Sequence, residues 1–201
     1  MIRLALLLAC LAAPLRAEPA VEAERLAAAH GTVAVVAVWT KDDGARIAVA
    51  GRRHAGGDPV VRSDAWHIGS LTKAMTATLA ARMVAQGRIE WDTPIGDLLR
   101  AAKPWRDVTL AELLNHRSGM AANLPRWRAV LRPGRATYAA HMLSSAPATP
   151  RGETEYSNAG YVVAGAMLEA AGGAPWEDLL RRHVLNPLRM EGAGFGAPDA
   201  I

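Results

Sequence analysis

His67-Ile68-Gly69-Ser70-Leu71-Thr72-Lys73-Ala74-Met75 is the stretch on which the fold turns. It opens a helical pattern that runs from Leu71 to Gln86 and stops before Gly87. Ser70 and Lys73 are three residues apart, so a helix places them on one face, about one turn from each other. Gly69 permits a sharp entry and close packing just ahead of the serine. A hydroxyl at a helix N-terminus has free backbone N–H groups and the positive end of the dipole beside it, which favours an oxyanion there.

The lysine stands out by residue type. Of 23 basic residues only Lys41, Lys73 and Lys103 are lysine, and all the others are arginine. Lys41 and Lys103 fall in turn or loop segments, whereas Lys73 is the only charged residue between His67 and Ala81. A solvated helix face in this chain is expected to carry arginine, and more than one charge. Arginine keeps its proton inside a protein, while a desolvated lysine can lose it and act as a base. The plainer alternative is a surface lysine with its stem laid along the helix.

A second segment adds weight to the first. Pro150-Arg151-Gly152-Glu153-Thr154-Glu155-Tyr156-Ser157-Asn158-Ala159-Gly160-Tyr161 reads as a loop entering a helix, with Tyr156 and Asn158 on either side of Ser157. Alone, Tyr-Ser-Asn reads as a helix cap. Beside Ser70 and Lys73 it reads as the remainder of a site, a phenol that can shuttle a proton and an amide that can orient lysine and substrate.

Together these segments resemble the serine β-lactamase-like superfamily, in its branch of class C β-lactamases, DD-peptidases and related esterases. Ile68–Lys73 is similar to that branch's nucleophile motif, and Pro150–Tyr161 to its Tyr-x-Asn motif. Ile89–Ile95, Val108–Met120 and Leu185–Met190 resemble its structural segments, so the likeness covers about residues 20–197. The class A branch uses Ser-Asp-Asn as its second motif, and Tyr156-Ser157-Asn158 differs from it.

The resemblance implies acyl transfer through a covalent intermediate on Ser70, with Lys73 and Tyr156 as the base system and Asn158 holding substrate. The carbonyl would belong to a lactam, peptide or ester, a small-molecule or peptide substrate, and no cofactor is implied. The Ser70 backbone N–H would supply half of an oxyanion hole. The branch also has a third motif, Lys-Thr/Ser-Gly or His-x-Gly, on a later strand, and nothing after Asn158 matches it before Ile201. His54-Ala55-Gly56 has the letters but precedes the nucleophile. The expectation is therefore an α+β, β-lactamase/transpeptidase-like fold cut short: a helical region packed on an N-terminal β-hairpin, with the later strands missing. A catalytically impaired remnant or ligand-binding protein of the same fold is the alternative.

The rest of the chain is consistent with that architecture. Val21–His30 reads as a helix, Thr32–Thr40 and Ala45–Ala50 as a hairpin about the turn Lys41-Asp42-Asp43-Gly44, and 51–63 as a polar connection. Thr109–His116 reads as a short helix whose Thr109 and Glu112 form a capping box, with His116 a cation suited to its end. Thr137–Ser145, Asn158–Ala171 and Trp176–Asn186 read as further helices, and Gly192, Gly194 and Gly196 as a flexible tail.

Composition and the first residues set the class and compartment. With 201 residues, 51% hydrophobic and 21% charged, the chain fits a packed globular domain and excludes disordered and collagen-like classes. The formal charge of +4 comes from basic residues read as scattered, with no cluster interleaved with aromatics, an ordinary Arg-rich surface with no nucleic-acid face. The six histidines have no metal-ligand spacing. Met1-Ile2-Arg3, the apolar run Leu4–Ala13 and Pro14–Ala17 read as a secretory signal, residues 1–17, too short to span a membrane, ahead of a partial domain over 18–201. The expected location is secreted or periplasmic. Cys10, the only cysteine, lies in that signal, where Leu7-Leu8-Ala9-Cys10 loosely resembles a lipoprotein processing site.

Overall fold

The computed structural model describes residues 19–31, 34–40, 44–54 and 56–196. The expected signal with Cys10 and the turn residues Lys41, Asp42 and Asp43 lie outside the described residues. The chain divides into two compact units, one ending at Trp66 and the other spanning His67–Ala197.

In the first unit, helix α1 (Pro19–His30) begins two residues ahead of the expected start. Proline suits a first helical turn, because its missing N–H would have had no partner there. Strands β1 (Ala34–Thr40) and β2 (Gly44–Ala50) pair antiparallel, in a register running from Ala34 opposite Ala50 to Thr40 opposite Gly44. They form a two-stranded sheet among the described residues, the hairpin that the β-branched run and turn chemistry predict. The link that follows is more ordered than its polar, Gly-containing sequence suggests. Arg53 donates twice to Asp64, from Nε at 3.0 Å and Nη2 at 2.7 Å, and Arg52 Nη1 donates to the Gly57 carbonyl.

The second unit is helical. A 3₁₀ turn (Gly69–Leu71) leads into α2 (Thr72–Ala85). There follow α3 (Ile95–Leu98), a 3₁₀ turn at Lys103–Trp105, α4 (Leu110–Leu114), α5 (Arg126–Ala129), α6 (Arg135–Ser144), α7 (Asn158–Gly172) and α8 (Trp176–Leu180). The expected helix 176–186 does not stay α-helical. At Arg181–Leu185 it widens to a π-type turn, in which the Asn186 N–H reaches back to the Arg181 carbonyl at 2.9 Å. The capping box on α4 forms as the sequence predicts: Thr109 Oγ1 accepts from Glu112 N–H, and Glu112 Oε2 accepts from Thr109 N–H.

Helix α7 is the hub. It packs against α2, α3, α4, α6 and α8. Its buried residues include Ala159, Gly160, Ala164, Gly165 and Ala166, whose small side chains let neighbours approach. At Gly165 a Cβ would meet the Arg135 stem at 3.3 Å and the Trp176 ring at 3.6 Å. Leu79 and Met83 of α2, Leu110 and Leu113 of α4, Met142 and Leu143 of α6, and Leu179 and Leu180 of α8 close around Val163, Met167 and Leu168. Each such side chain contributes about 1.5–3 kcal/mol by leaving water. The Arg135 guanidinium also pairs with Glu169 and, at 2.7 Å, with Glu177, linking α6, α7 and α8.

The glycine-rich end departs from the flexible tail expected of it. Phe195 meets the Trp176 ring edge-on, with centroids 5.5 Å apart, and the Arg181 guanidinium lies 4.7 Å over Phe195. One aromatic side chain anchors the segment that three glycines would otherwise leave loose.

Candidate active site

Ser70 sits in the 3₁₀ turn that opens α2, one turn ahead of Lys73. The residue before it, Gly69, has φ +51° and nothing within 4 Å of where a Cβ would stand. The glycine is therefore needed for its left-handed backbone, and close packing, the other reason expected from the sequence, does not apply.

Tyr156 Oη donates to Ser70 Oγ at 2.6 Å, and Lys73 Nζ donates to the same oxygen at 3.2 Å. Lys73 Nζ also donates to Asn158 Oδ1 at 2.6 Å. The ammonium stands 4.7 Å from the Tyr156 ring centroid and 5.4 Å from that of Tyr161. All four residues singled out by the sequence thus meet at one point, although Tyr156 is 86 positions from Ser70. Lys73 is half-buried in this cluster, against the surface-lysine alternative, while Ser70 and half of Tyr156 remain open to solvent. The Lys73 ammonium, and next the bond with Ser70, hold the Tyr156 phenol below its usual pKa. Both interactions stabilise the phenolate, the form that can accept a proton.

Tyr-Ser-Asn is a cap and a cluster at once. Ser157 Oγ caps α7 by accepting from Gly160 N–H at 2.8 Å, and donates to the Ala121 carbonyl at 2.7 Å. Asn158 N–H and Ala159 N–H both donate to the Ala122 carbonyl. With Ser157 turned into the protein, its neighbours Tyr156 and Asn158 point to the lysine.

The supporting residues lie in the segment after α4. His116, itself left-handed at φ +60°, accepts the Ser157 N–H on Nδ1 at 3.0 Å. Its ring packs on Tyr156 at 4.6 Å and on Tyr161 at 5.3 Å between centroids. Burial, and then the charge of Lys73, lower the His116 pKa. The helix-end cation expected from the sequence is thus corrected: this imidazole is held neutral and works as an acceptor. Gly119 has φ +78°, and a Cβ there would stand 2.5 Å from the Thr149 carbonyl oxygen, so only glycine lets this segment run so close to the loop before Tyr156. Asn123 Oδ1 accepts from Asn158 Nδ2 at 2.9 Å, which turns Asn158 Oδ1 toward Lys73.

A cleft of about 410 Å³ opens beside Ser70 and Lys73. Thr76 of α2, Val162 and Gly165 of α7, and Trp176 and Arg135 also line it. Among the described residues no group of His, Cys, Asp or Glu is arranged to hold a metal ion, and no helix is long and apolar enough to cross a membrane.

The family model for beta-lactamases matches residues 20–201. The chain belongs to the beta-lactamase family. Among curated relatives of this beta-lactamase-family chain, penicillin-binding protein 4 of Amycolatopsis lactamdurans is 30% identical over 173 residues, 80% of this chain and 44% of that protein. The crystal structure of SurE superposes with TM-score 0.71 at 28% identity, over 87% of this chain and 41% of that one. A D-stereospecific amidohydrolase from a Streptomyces species superposes with TM-score 0.69 at 26% identity, over 85% and 54% respectively. The chain therefore has the fold of β-lactamase-family serine hydrolases and spans about half the length of these relatives. His116 and Asn123 had no local sequence signal of a role in the cluster, since their partners lie 41 and 35 positions away.

Proposed function

We propose that this protein is a secreted or periplasmic serine hydrolase or acyltransferase that forms an acyl-enzyme on Ser70. The observation that carries the reading is the 2.6 Å bond between Tyr156 Oη and Ser70 Oγ, with Lys73 Nζ 3.2 Å from the same oxygen. Tyr156 as phenolate takes the Ser70 proton while Oγ bonds to the carbonyl carbon, and the carbonyl π electrons move to oxygen. The Lys73 charge holds the phenolate before transfer and keeps the proton within reach afterwards. The backbone N–H of Ser70 donates to the oxyanion. When the intermediate collapses, the C–N or C–O bond breaks and Tyr156 returns its proton to the leaving atom. Water repeats the sequence, releasing the acid and restoring Ser70. Asn158 donates one N–H to Asn123 and keeps a second for the substrate's amide or carboxyl side.

The substrate carbonyl is that of a lactam, peptide or ester. Likeness to a penicillin-binding protein and to a D-stereospecific amidohydrolase supports amides of D-configured residues as the first substrates to try. The test is to treat the folded chain with a fluorescent penicillin and with a fluorophosphonate, then map the adduct by mass spectrometry. The expected result is a label on Ser70 that Ser70→Ala lacks. No adduct from either reagent, with wild type and Ser70→Ala indistinguishable, would overturn the reading; ligand binding without an adduct would favour a binding protein of the same fold.

A further inference from the structure

The arginines are not evenly scattered, and the expectation that no basic cluster interleaves with aromatics is corrected at Arg126-Trp127-Arg128. From Leu113 to Gly152 there is no Asp or Glu, while Arg117, Arg126, Arg128, Arg132, Arg135 and Arg151 all fall in that stretch. Arg151 and Arg135 are neutralised by Glu112 and by Glu169 and Glu177, and Arg117 donates to the Gly152 carbonyl. Arg126, Arg128 and Arg132 make no ion pair among the described residues. Along the chain they flank three apolar side chains that stand out into solvent: Trp127 is 67% exposed, Val130 77% and Leu131 76%.

The backbone builds this protrusion. Pro125 starts α5, the single helical turn Arg126–Ala129 carries on through Val130, and Arg132 closes it in the left-handed region at φ +44° just before Pro133. Leu131 N–H donates to Arg128 C=O and Arg132 N–H to Ala129 C=O, so the tip is hydrogen-bonded. The Arg128 guanidinium lies 4.4 Å over the Trp127 ring. Arg128 Nη1 also lies within hydrogen-bond distance of the His141 ring. A proline-bracketed turn thus presents an aromatic and two aliphatic side chains among cations that no carboxylate neutralises among the described residues.

We propose that this turn docks the protein on an anionic lipid surface, with Trp127, Val130 and Leu131 entering the headgroup region and Arg126, Arg128 and Arg132 meeting the phosphates. Indole settles at the membrane–water boundary, aliphatic side chains gain by leaving water there, and arginines add attraction to anionic lipid. The composition fits lipid better than nucleic acid, because Val130 and Leu131 offer bases nothing to stack on. It also argues against a second copy, since a two-fold contact would set three arginines without carboxylate partners against the same three. The turn begins two residues after Asn123, which holds Asn158, so docking would bring the mouth of the cleft near the lipid surface. The inference does not depend on the acyl-transfer reading.

The test is sedimentation of the full chain with vesicles of phosphatidylcholine alone and with phosphatidylglycerol added, at low and high salt. Binding is expected to the anionic vesicles, weakened by salt. Brominated lipid should quench a tryptophan signal that Trp127→Phe removes without abolishing binding. Replacing Arg126, Arg128 and Arg132 by Gln should weaken binding by roughly fivefold per arginine. Trp127→Ser/Val130→Ser/Leu131→Ser should reduce it further, while both sets of variants keep the wild-type melting transition. The proposal is overturned by no vesicle binding, by binding that both sets leave unchanged, or by bromine quenching that survives Trp127→Phe. Tighter binding to single-stranded RNA than to vesicles, or a dimer that the serine variant dissolves, would overturn it too.

Discussion

The first turns of α2 and α7 and the middles of the same helices obey different rules. In the middles, Leu79, Met83, Val163, Met167 and Leu168 are fully buried and interchangeable by kind, since any apolar side chain of matching volume preserves most of the packing. At the first turns, Ser70, Lys73 and Asn158 are polar, partly open, and tied to one another by bonds of 2.6–3.2 Å. Helix starts leave backbone N–H groups unpaired and side chains outside the core, so chemistry can be placed there without leaving a polar group stranded in an apolar interior. The buried middles then fix where those starts stand. Position and reactivity are thereby separated along the same two helices.

That separation can be broken most severely at the serine. Ser70→Ala should remove acylation, a loss on the order of 10⁶ where a nucleophile is deleted. Its melting temperature should stay near wild type, because Ser70 is exposed and no core contact is lost. Paired label and melting measurements check this; a large loss of stability would mean that the first turn is structural after all.

Leu168→Ala should do the reverse. A fully buried leucine in the hub helix leaves a cavity, and about 2–5 kcal/mol of stability goes with it. The molecules that remain folded should still acylate at the wild-type rate, as judged by denaturant melts and by labelling normalised to folded protein.

Smaller effects belong to the residues that support the cluster. His116→Ala removes the acceptor of the Ser157 N–H and should cost about 1 kcal/mol, whereas His116→Asn can restore an acceptor near the Nδ1 position and lose less. Because the folded-state pKa of His116 is lowered, its contribution to stability is fully present above the unfolded value of about 6.5 and is lost as pH falls through the folded one. Stability should therefore decline with acid, and His116→Asn should flatten part of that slope. His183, also lowered by burial and then by Arg182, Arg88 and Arg82, accounts for a further part.

Asn123→Ala should have the smallest effect. It frees the Asn158 amide to turn, and up to about tenfold in kcat/KM is the size expected for one hydrogen bond. Melting should be nearly unchanged, since Asn123 is exposed.

The parts of this structure legible in the sequence are those whose cause is local. Three-residue spacing joins Ser70 to Lys73, the scarcity of lysine marks Lys73, and Thr109 with Glu112 announces the start of α4. Tyr156 was reachable because the loop-to-helix pattern around it resembles a known motif. The short helices α3 and α5 have four residues each, too few for an apolar period to declare itself. Phe195 on Trp176, Asn123 on Asn158 and His116 on Tyr156 are tertiary contacts between segments separated along the chain, so no local pattern announces them. The exposed turn around Trp127 is masked in the whole-chain charge, where the acids of other segments balance its arginines.

The most direct test of the central claim, that the phenol beside Ser70 takes its proton, is the rate of Ser70 acylation against pH in wild type and in Tyr156→Phe. The wild-type rate is expected to climb with pH through a midpoint below the ordinary tyrosine value of about 10, because Lys73 and Ser70 lower that pKa. In Tyr156→Phe the rate should fall by about 10²–10⁴ and the climb should disappear. A Phe variant that acylates as fast as wild type, with the same profile, would contradict it.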